Sequence, residues 1–411
     1  MPPRLLPTAS ALILVTVAAG AFGCGGDSPE RANRTATATP APKGGLYVSP
    51  KGNDEAACTS PETACQTWLT AFIKAEPGDV IELAAGDYGD VPLVALPRKA
   101  TPKRVVFRPA KGAEVKVGAL DVDGTSDIEI VGVTSDAGWQ IRGMAENVVM
   151  RDVKILDSEW GGYIGGAKRV RVIGGEIGRI DPNDGLHLNN TDGDNIDVVI
   201  DGVYMHDLTN KTAPAVHTDC VQAGAANGLV IRNSRFINCA TQGLFLSAYG
   251  GAATKDVVIE NNWIGRAQDG FQALYVGDAM DVTLRNNSVV DGGTFVDSEK
   301  SKTVVVNNIL AGTDAYGCQV LAGVSKRFAH NVVPEPCPAG TPGTGIIVDP
   351  DAAKHFVNRG VKDSSKFDLH LRPGAKAINA GASGGPATDI DGEPRPRSGR
   401  SDAGADERGG A

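Results

Sequence analysis

Leu229-Val230-Ile231-Arg232-Asn233 returns as Val257-Val258-Ile259-Glu260-Asn261, then as Val282-Thr283-Leu284-Arg285-Asn286, then as Thr303-Val304-Val305-Val306-Asn307. Upstream, Val198-Val199-Ile200-Asp201-Gly202 and Val148-Val149-Met150-Arg151-Asp152 fit the same frame, with weaker copies beginning at Val170, Ile128 and Val105. Successive copies begin 20 to 31 residues apart, a period that suits one coil of a stacked solenoid. Each copy is a short run rich in β-branched residues ending in Asn, Asp or Gly, which is strand followed by turn. Leucine-rich repeats share the period, but their leucine signature is absent. Sandwiches and barrels lack such coil-long self-similarity. The repeat therefore predicts an all-β parallel β-helix solenoid. Asn233, Asn261, Asn286 and Asn307 are expected to stack as a ladder, at ~4.8 Å per coil.

Composition agrees. Of 411 residues, 52 are glycine, against only 4 Trp, 7 Tyr and 10 Phe, while the apolar fraction is an ordinary 41%. Such a chain builds its interior from Val, Ile, Leu and Ala and turns its corners with glycine. A net charge of −9, from 49 acidic and 40 basic residues, argues against a nucleic-acid partner. One elongated domain replaces the two or three that length alone suggests.

The first 45 residues concern delivery. Arg4 precedes an apolar run, Ala9 to Ala19, that is too short to span a membrane and has the length of a secretory signal core. Ala21-Phe22-Gly23-Cys24 then resembles a bacterial lipoprotein signal, although Phe22 is bulky for that position. Such a signal implies cleavage after residue 23 and lipid on Cys24. Residues 24–45 read as a disordered tether. The expectation is an exported monomer at the cell envelope or surface, touching the membrane through its lipid anchor only. The other six cysteines, Cys58, Cys65, Cys220, Cys239, Cys318 and Cys337, are an even number in an exported chain. The simplest of their possible pairings joins sequence neighbours: 58–65, 220–239 and 318–337. The 220–239 bridge ranks below the others, because those two cysteines sit four positions out of register and need a bent corner.

A solenoid needs capped ends. Thr67 to Ala75 predicts a short N-terminal capping helix with Trp68, Leu69, Phe72 and Ile73 on one face. The solenoid domain is placed at 46–407, with a cap at 46–100, coils at 101–345 and a C-terminal segment at 346–407.

Tyr47-Val48-Ser49-Pro50-Lys51-Gly52-Asn53-Asp54, Trp68 and the helix, then Pro77-Gly78-Asp79-Val80-Ile81-Glu82-Leu83-Ala84-Ala85-Gly86-Asp87-Tyr88 resemble the opening of bacterial right-handed parallel β-helix proteins of the pectate-lyase-like superfamily. Asp368-Leu369-His370-Leu371-Arg372-Pro373-Gly374, Ala377-Ile378-Asn379-Ala380-Gly381 and Thr388-Asp389-Ile390-Asp391-Gly392-Glu393-Pro394-Arg395-Pro396 resemble the close of its surface members. Gly404-Ala405-Asp406-Glu407 departs from them, since an aromatic commonly precedes the acid. The resemblance implies a right-handed coil and sugar polymers as partners. It does not choose among lyases, hydrolases, epimerases and inactive members.

A second motif repeats behind the strands. Asp184-Gly185-Leu186-His187 aligns with Asp219-Cys220-Val221-Gln222 and Asp269-Gly270-Phe271-Gln272, with Gln242-Gly243-Leu244-Phe245 between the last two. Strand alternation points Leu186, Leu188, Val221, Ala223, Phe271 and Ala273 inward and His187, Gln222 and Gln272 outward. One coil carries an insertion, Asp207 to Val216, which delivers His217 and Asp219 and lets Lys211 overhang the column. The candidate catalytic residues are Asp184, His187, His217 and Asp219. The candidate substrate-binding residues are Lys211, Gln222, Gln242, Asp269 and Gln272. Aspartates one coil apart could approach to ~5 Å, the spacing of a retaining glycosidase pair. They could instead hold Ca²⁺. A histidine or Lys211 could abstract the C5 proton of a uronate, as in a lyase or epimerase. The competing reading is turn chemistry repeated at each corner, on a non-catalytic glycan-binding or structural envelope protein. The Asp-Pro-His-Glu motif of alginate epimerases is absent. Asn190-Thr191-Asp192-Gly193 resembles a polygalacturonase motif without its expected partners, and reads as a turn. His206, His330, His355 and His370 read as incidental, and Arg395, Arg397 and Arg400 as solvated.

Overall fold

The computed structural model describes residues 45–96, 103–247, 254–265, 272–297, 302–312, 318–320, 325–337, 343–359, 363–397 and 399–408. The signal, tether and Cys24 lie outside them, as does Asp269. Among the described residues three parallel sheets, of thirteen, twelve and ten strands, run the length of the solenoid. Successive coils visit them in the same order as far as Cys318–Val320, the last described strand of the ten-stranded sheet. In one coil the strands are Lys168–Ile173, Glu176–Gly178 and Leu186–Asn189. Val170, Ile177, Leu186 and Leu188 fill its interior, at 2% exposure or less. Arg171 points outward and pairs with Asp197 of the next coil at 2.7 Å.

The corners explain the Asn, Asp and Gly content. After nine strands of the thirteen-stranded sheet the next residue takes a left-handed backbone: Gly132, Asp152, Gly174, Gly202, Asn233, Asn261, Asn286, Asn307 and His330, with φ from +51° to +71°. Only glycine, and to a lesser degree Asn and Asp, adopts this region cheaply. This corrects the expected ladder. At the left-handed positions contact is partial: Asn261 donates to Asn233 at 2.9 Å, while Asn286 and Asn307 also reach the C-terminal segment. The continuous ladder lies one residue later, where side chains turn inward. Asn262, Asn287, Asn308 and Asn331 are fully buried, and each amide donates at 3.0 Å to the next. Asn287 Oδ1 also accepts the backbone N–H of Asn262, and Asn287 Nδ2 donates to the Ile259 carbonyl. An Asn287→Ala variant strands these buried groups and is expected to lose about 1–3 kcal/mol in urea unfolding. Asn286→Gly, at φ +51°, is expected to lose much less.

The capping helix runs Trp68–Lys74, with Thr67 Oγ1 accepting the Thr70 N–H at its start. Its buried face is Trp68, Ala71 and Phe72. Ile73, expected on that face, is 60% exposed, because i, i+3, i+4 spacing selects Ala71 instead. Trp68 stacks on Phe107 at 5.1 Å and meets Tyr88 edge-on, closing the first coils.

All three bridges form: Cys58–Cys65, Cys220–Cys239 and Cys318–Cys337. The 220–239 bridge forms although the register disfavoured it. Left-handed Asn238 supplies the bent corner, bringing the Cα atoms to 5.6 Å.

The C-terminal segment folds back along the solenoid as an antiparallel pair, Phe356–Asn358 with Asp368–Leu371, and a following loop. Here the incidental histidines acquire partners. His206 lies between Glu176 and Asp207 and meets Ser364. His355 meets Asp349, His370 bridges Asp368 and Asp391, and His330 reaches the Ala380 carbonyl. Arg395 is also corrected. Its side chain is 1% exposed and pairs with the fully buried Glu407. Arg397 stays exposed and pairs with Glu393. Arg400 donates to the Gly381 carbonyl. No helix among the described residues is long and apolar enough to cross a membrane.

Candidate functional site

The ten-stranded sheet carries the site. Its strand register places one outward column in order along the axis: Gln140, Tyr163, His187, Gln222, Phe245, Tyr275 and Phe295. The apolar residues flanking the column, among them Leu186, Leu188, Leu244 and Leu246, are fully buried. The wall beside it is made by the loops that enter this sheet from the second: 157–161, 179–185 and the insertion 207–220. Thr212 of the insertion donates twice to Asp181 Oδ1, which ties one wall loop to the next. Lys211 is exposed there and has no protein partner among the described residues.

Asp184 and Asp219 sit at the strand entrance in successive coils. Each uses Oδ1 structurally. Asp184 Oδ1 accepts the Asp219 N–H, and Asp219 Oδ1 accepts the Gln242 N–H, both at 2.8 Å. Oδ2 of each faces a histidine, but not in the same way: His187 Nδ1 is hydrogen-bonded to Asp184 at 2.7 Å, whereas His217 Nδ1 makes a 2.9 Å ion-pair contact with Asp219 whose angles leave Asp219 Oδ2 without a hydrogen bond among the described residues. An ionised carboxylate only accepts, so at His187 Nδ1 carries the proton and Nε2 is left for chemistry. Neither Nε2 has a protein partner among the described residues. Aromatic neighbours fix the rings from the outer sides. Tyr163 stacks against His187 at 6.2 Å, and Phe245 meets His217 edge-on at 5.0 Å. Gly165 makes room for Tyr163, since a Cβ there would lie 2.7 Å from its hydroxyl, which bonds Asn189.

Burial raises the Asp219 carboxyl, and the neighbouring Asp184 charge adds to this, against the opposing pull of His217. The Asp219 carboxylate beside it raises His217. The pair joins a fully buried carboxylate to a histidine whose side chain is 44% exposed.

Four of the expected residues thus form two dyads one coil apart, but the aspartates do not form an open carboxylate pair. They are 8% and 0% exposed, and the corner ladder consumes one oxygen of each. A glycosidase nucleophile needs an oxygen open to the sugar, and Ca²⁺ takes six to eight oxygens, whereas each aspartate here has one oxygen on a backbone N–H and the other against a histidine, so this donor set does not fit Ca²⁺. One group of three metal-type side chains converges among the described residues, His370, Asp391 and Asp406, and it lies on the C-terminal segment. There hydrogen bonding to Asp391, then to Asp368, pushes His370 up to about 9, so an imidazolium already fills the centre.

Gln222 lies in the outward column and is 8% exposed. Gln242 is buried at the corner, and its Oε1 accepts no hydrogen bond among the described residues. Gln272 leaves the column. Phe271 lies outside the described residues; Leu274 pairs with Leu244, so Tyr275 takes the outward place, and Gln272 opens the strand opposite Gly293, where the register to the next strand shifts. Ala273, Leu274 and Val276 are the buried residues there. The aromatic members Tyr163, Tyr275 and Phe295 were not anticipated. Phe245, Tyr275 and Phe295 stack in sequence at 4.9 and 5.0 Å.

The sequence profile described as a right handed beta helix region matches residues 119–333, just over half of the chain. The chain belongs to that family. No curated protein matches it. Among solved structures, a pectate lyase is 18% identical over 88% of this chain and 96% of its own, with a TM-score of 0.44. A complex of XylC with xylose is 10% identical over 88% and 98%, with a TM-score of 0.46. An alginate lyase from Paenibacillus sp. str. FPU-7 is 15% identical over 74% and 99%, with a TM-score of 0.39.

Proposed function

We propose that this face binds a uronic-acid polysaccharide and that His187 and His217 move the proton at C5, in a lyase- or epimerase-like reaction. The observation that carries the proposal is the pair of Asp–His dyads one coil apart, each with an unpartnered Nε2 on one elongated face. A long stacked face suits a polymer, and its mixture of aromatic, amide and imidazole groups suits a sugar. In the lyase form one Nε2 takes the C5 proton. The C5–H electrons form the C4=C5 double bond, the C4–O4 bond breaks, and the other histidine, protonated, returns a proton to the leaving oxygen. In the epimerase form the second histidine returns the proton to C5. Lys211, exposed on the insertion, is the cation available to neutralise the uronate carboxylate and so acidify C5–H.

The test is incubation with polygalacturonate and with alginate, following absorbance of the unsaturated product and deuterium uptake at C5 from heavy water. A lyase gives the first signal and an epimerase the second. Neither signal from either polymer overturns the catalytic reading, and glycan binding without turnover then supports the non-catalytic one. We propose further that the protein is exported and lipid-anchored through Cys24. Cys24→Ser should abolish acyl labelling and release the protein from membranes, and retained labelling would sink that idea.

A further inference from the structure

We propose that Trp160 is a sugar-stacking platform that holds the monomer next to the reacting one. This inference rests on reading the face as a uronate-polymer site. The chain has four tryptophans. Trp68, Trp139 and Trp263 are buried, at 4% or less, whereas Trp160 is 59% exposed.

Its backbone, however, is held firmly. Asp157, at the start of the loop, takes two bonds from Arg179, at 2.6 and 2.8 Å. Trp160 N–H donates to Ser158 Oγ, Asp181 N–H donates to the Ser158 carbonyl, and Asn183 Nδ2 donates to the Glu159 carbonyl at 2.8 Å. Gly161, directly after the indole, fits so tightly that a Cβ there would lie 2.5 Å from the Asp184 carbonyl oxygen. An exposed aromatic on a rigid pedestal binds with little ordering cost.

Its place in the coil is the second observation. Trp160 occupies the wall one coil before Asp184, in the coil whose strand carries Tyr163, the residue stacked on His187. A coil rises ~4.8 Å, close to the advance of one pyranose along an extended 1,4-linked chain. A polymer lying along the axis with one ring at His187 therefore brings its neighbouring ring to the coil of Trp160. A pyranose presents C–H groups on its face, and these suit an indole surface.

The experiment uses the full chain with polygalacturonate and alginate, measuring affinity by gel retardation, turnover, and quenching of tryptophan fluorescence on binding. Trp160→Ala should weaken binding and raise KM by roughly tenfold with kcat largely kept, and Trp160→Phe should keep most of the affinity. The quench should be present in the wild type and lost in Trp160→Phe, because the other indoles are buried. Wild-type binding and quench persisting in both variants would overturn the platform while leaving the histidine chemistry standing. Loss of binding in Trp160→Ala together with full activity in His187→Ala would retain the platform and remove the proposed chemistry. A wild type that binds neither polymer overturns both.

Discussion

His187→Ala is expected to cut turnover on the responsive uronate polymer by roughly 10²–10⁴-fold, the usual range for removal of a general acid or base. The fold should survive. The His187 side chain is 29% exposed and lies on the outer face of its strand, so its loss opens no cavity. Circular dichroism and the thermal midpoint should match the wild type, and affinity for the polymer should change far less than kcat. A sharper variant is Asp184→Asn. Its Oδ1 can still accept the Asp219 N–H, so the corner ladder stands. The amide that replaces Oδ2 cannot accept from Nδ1–H, which favours the other tautomer and puts the proton on Nε2. Activity should fall while stability holds. Because the Asp219 carboxylate 2.9 Å away raises His217, Asp219→Asn should also move the His217 limb of the pH–rate profile toward lower pH. A His187→Ala enzyme with wild-type kcat would remove this histidine from the mechanism.

The scaffold was legible because it is written as a period. Val198, Leu229, Val257 and Val282 each open a copy of one strand, and the structure pairs 198 with 229 and 257 with 282 in register. The ladder was misplaced by one residue, because Asn-Asn pairs such as Asn286-Asn287 offer two candidates and only backbone handedness separates them. Part of the site could be read in the sequence: Asp184, His187 and Asp219 come from a motif that recurs at the strand entrance, and His217 from the insertion just before it. The aromatic column was present in the text as an aromatic between two inward residues, Leu244-Phe245-Leu246, Leu274-Tyr275-Val276 and Thr294-Phe295-Val296, aligned with Leu186-His187-Leu188. The match of Asp269-Gly270 to Asp184-Gly185 hid it, because a local shift of register at Gln272–Leu274 leaves no mark in composition. The partnerships of the late histidines and of Arg395 were not legible at all. Arg395 meets Asn261, 134 residues earlier, and no periodic signal encodes a contact made when a tail folds back.

That tail carries the second large effect. Arg395→Met is expected to destabilise the C-terminal segment and the coils beneath it by about 3–5 kcal/mol, the range for breaking a buried ion pair from one side. The guanidinium donates to Glu407 Oε2 and Asn261 Oδ1, each at 3.1 Å, and to the Asp402 carbonyl at 3.3 Å. It therefore ties the tail to itself and to a solenoid corner. The carboxylates around it, Glu407, Asp402, Asp389 and Asp406, are all buried, and they favour its charge against the burial that opposes it. Glu407 has no other basic side chain within ion-pair distance among the described residues, so removing Arg395 leaves its charge with backbone donors alone. The double variant Arg395→Met/Glu407→Met should recover part of the loss, because it removes the stranded charge together with its partner, and a double-mutant cycle measures the coupling. A stacked solenoid need not unfold in one step, so the sensitive readout is local. Hydrogen exchange should accelerate first at Asn379–Gly381 and around Asn261, Asn286 and Asn307, whose side chains the tail occupies. Exchange there at the wild-type rate in Arg395→Met would show that the ion pair is dispensable and that the apolar contacts of Phe356, Leu369 and Leu371 hold the tail without it.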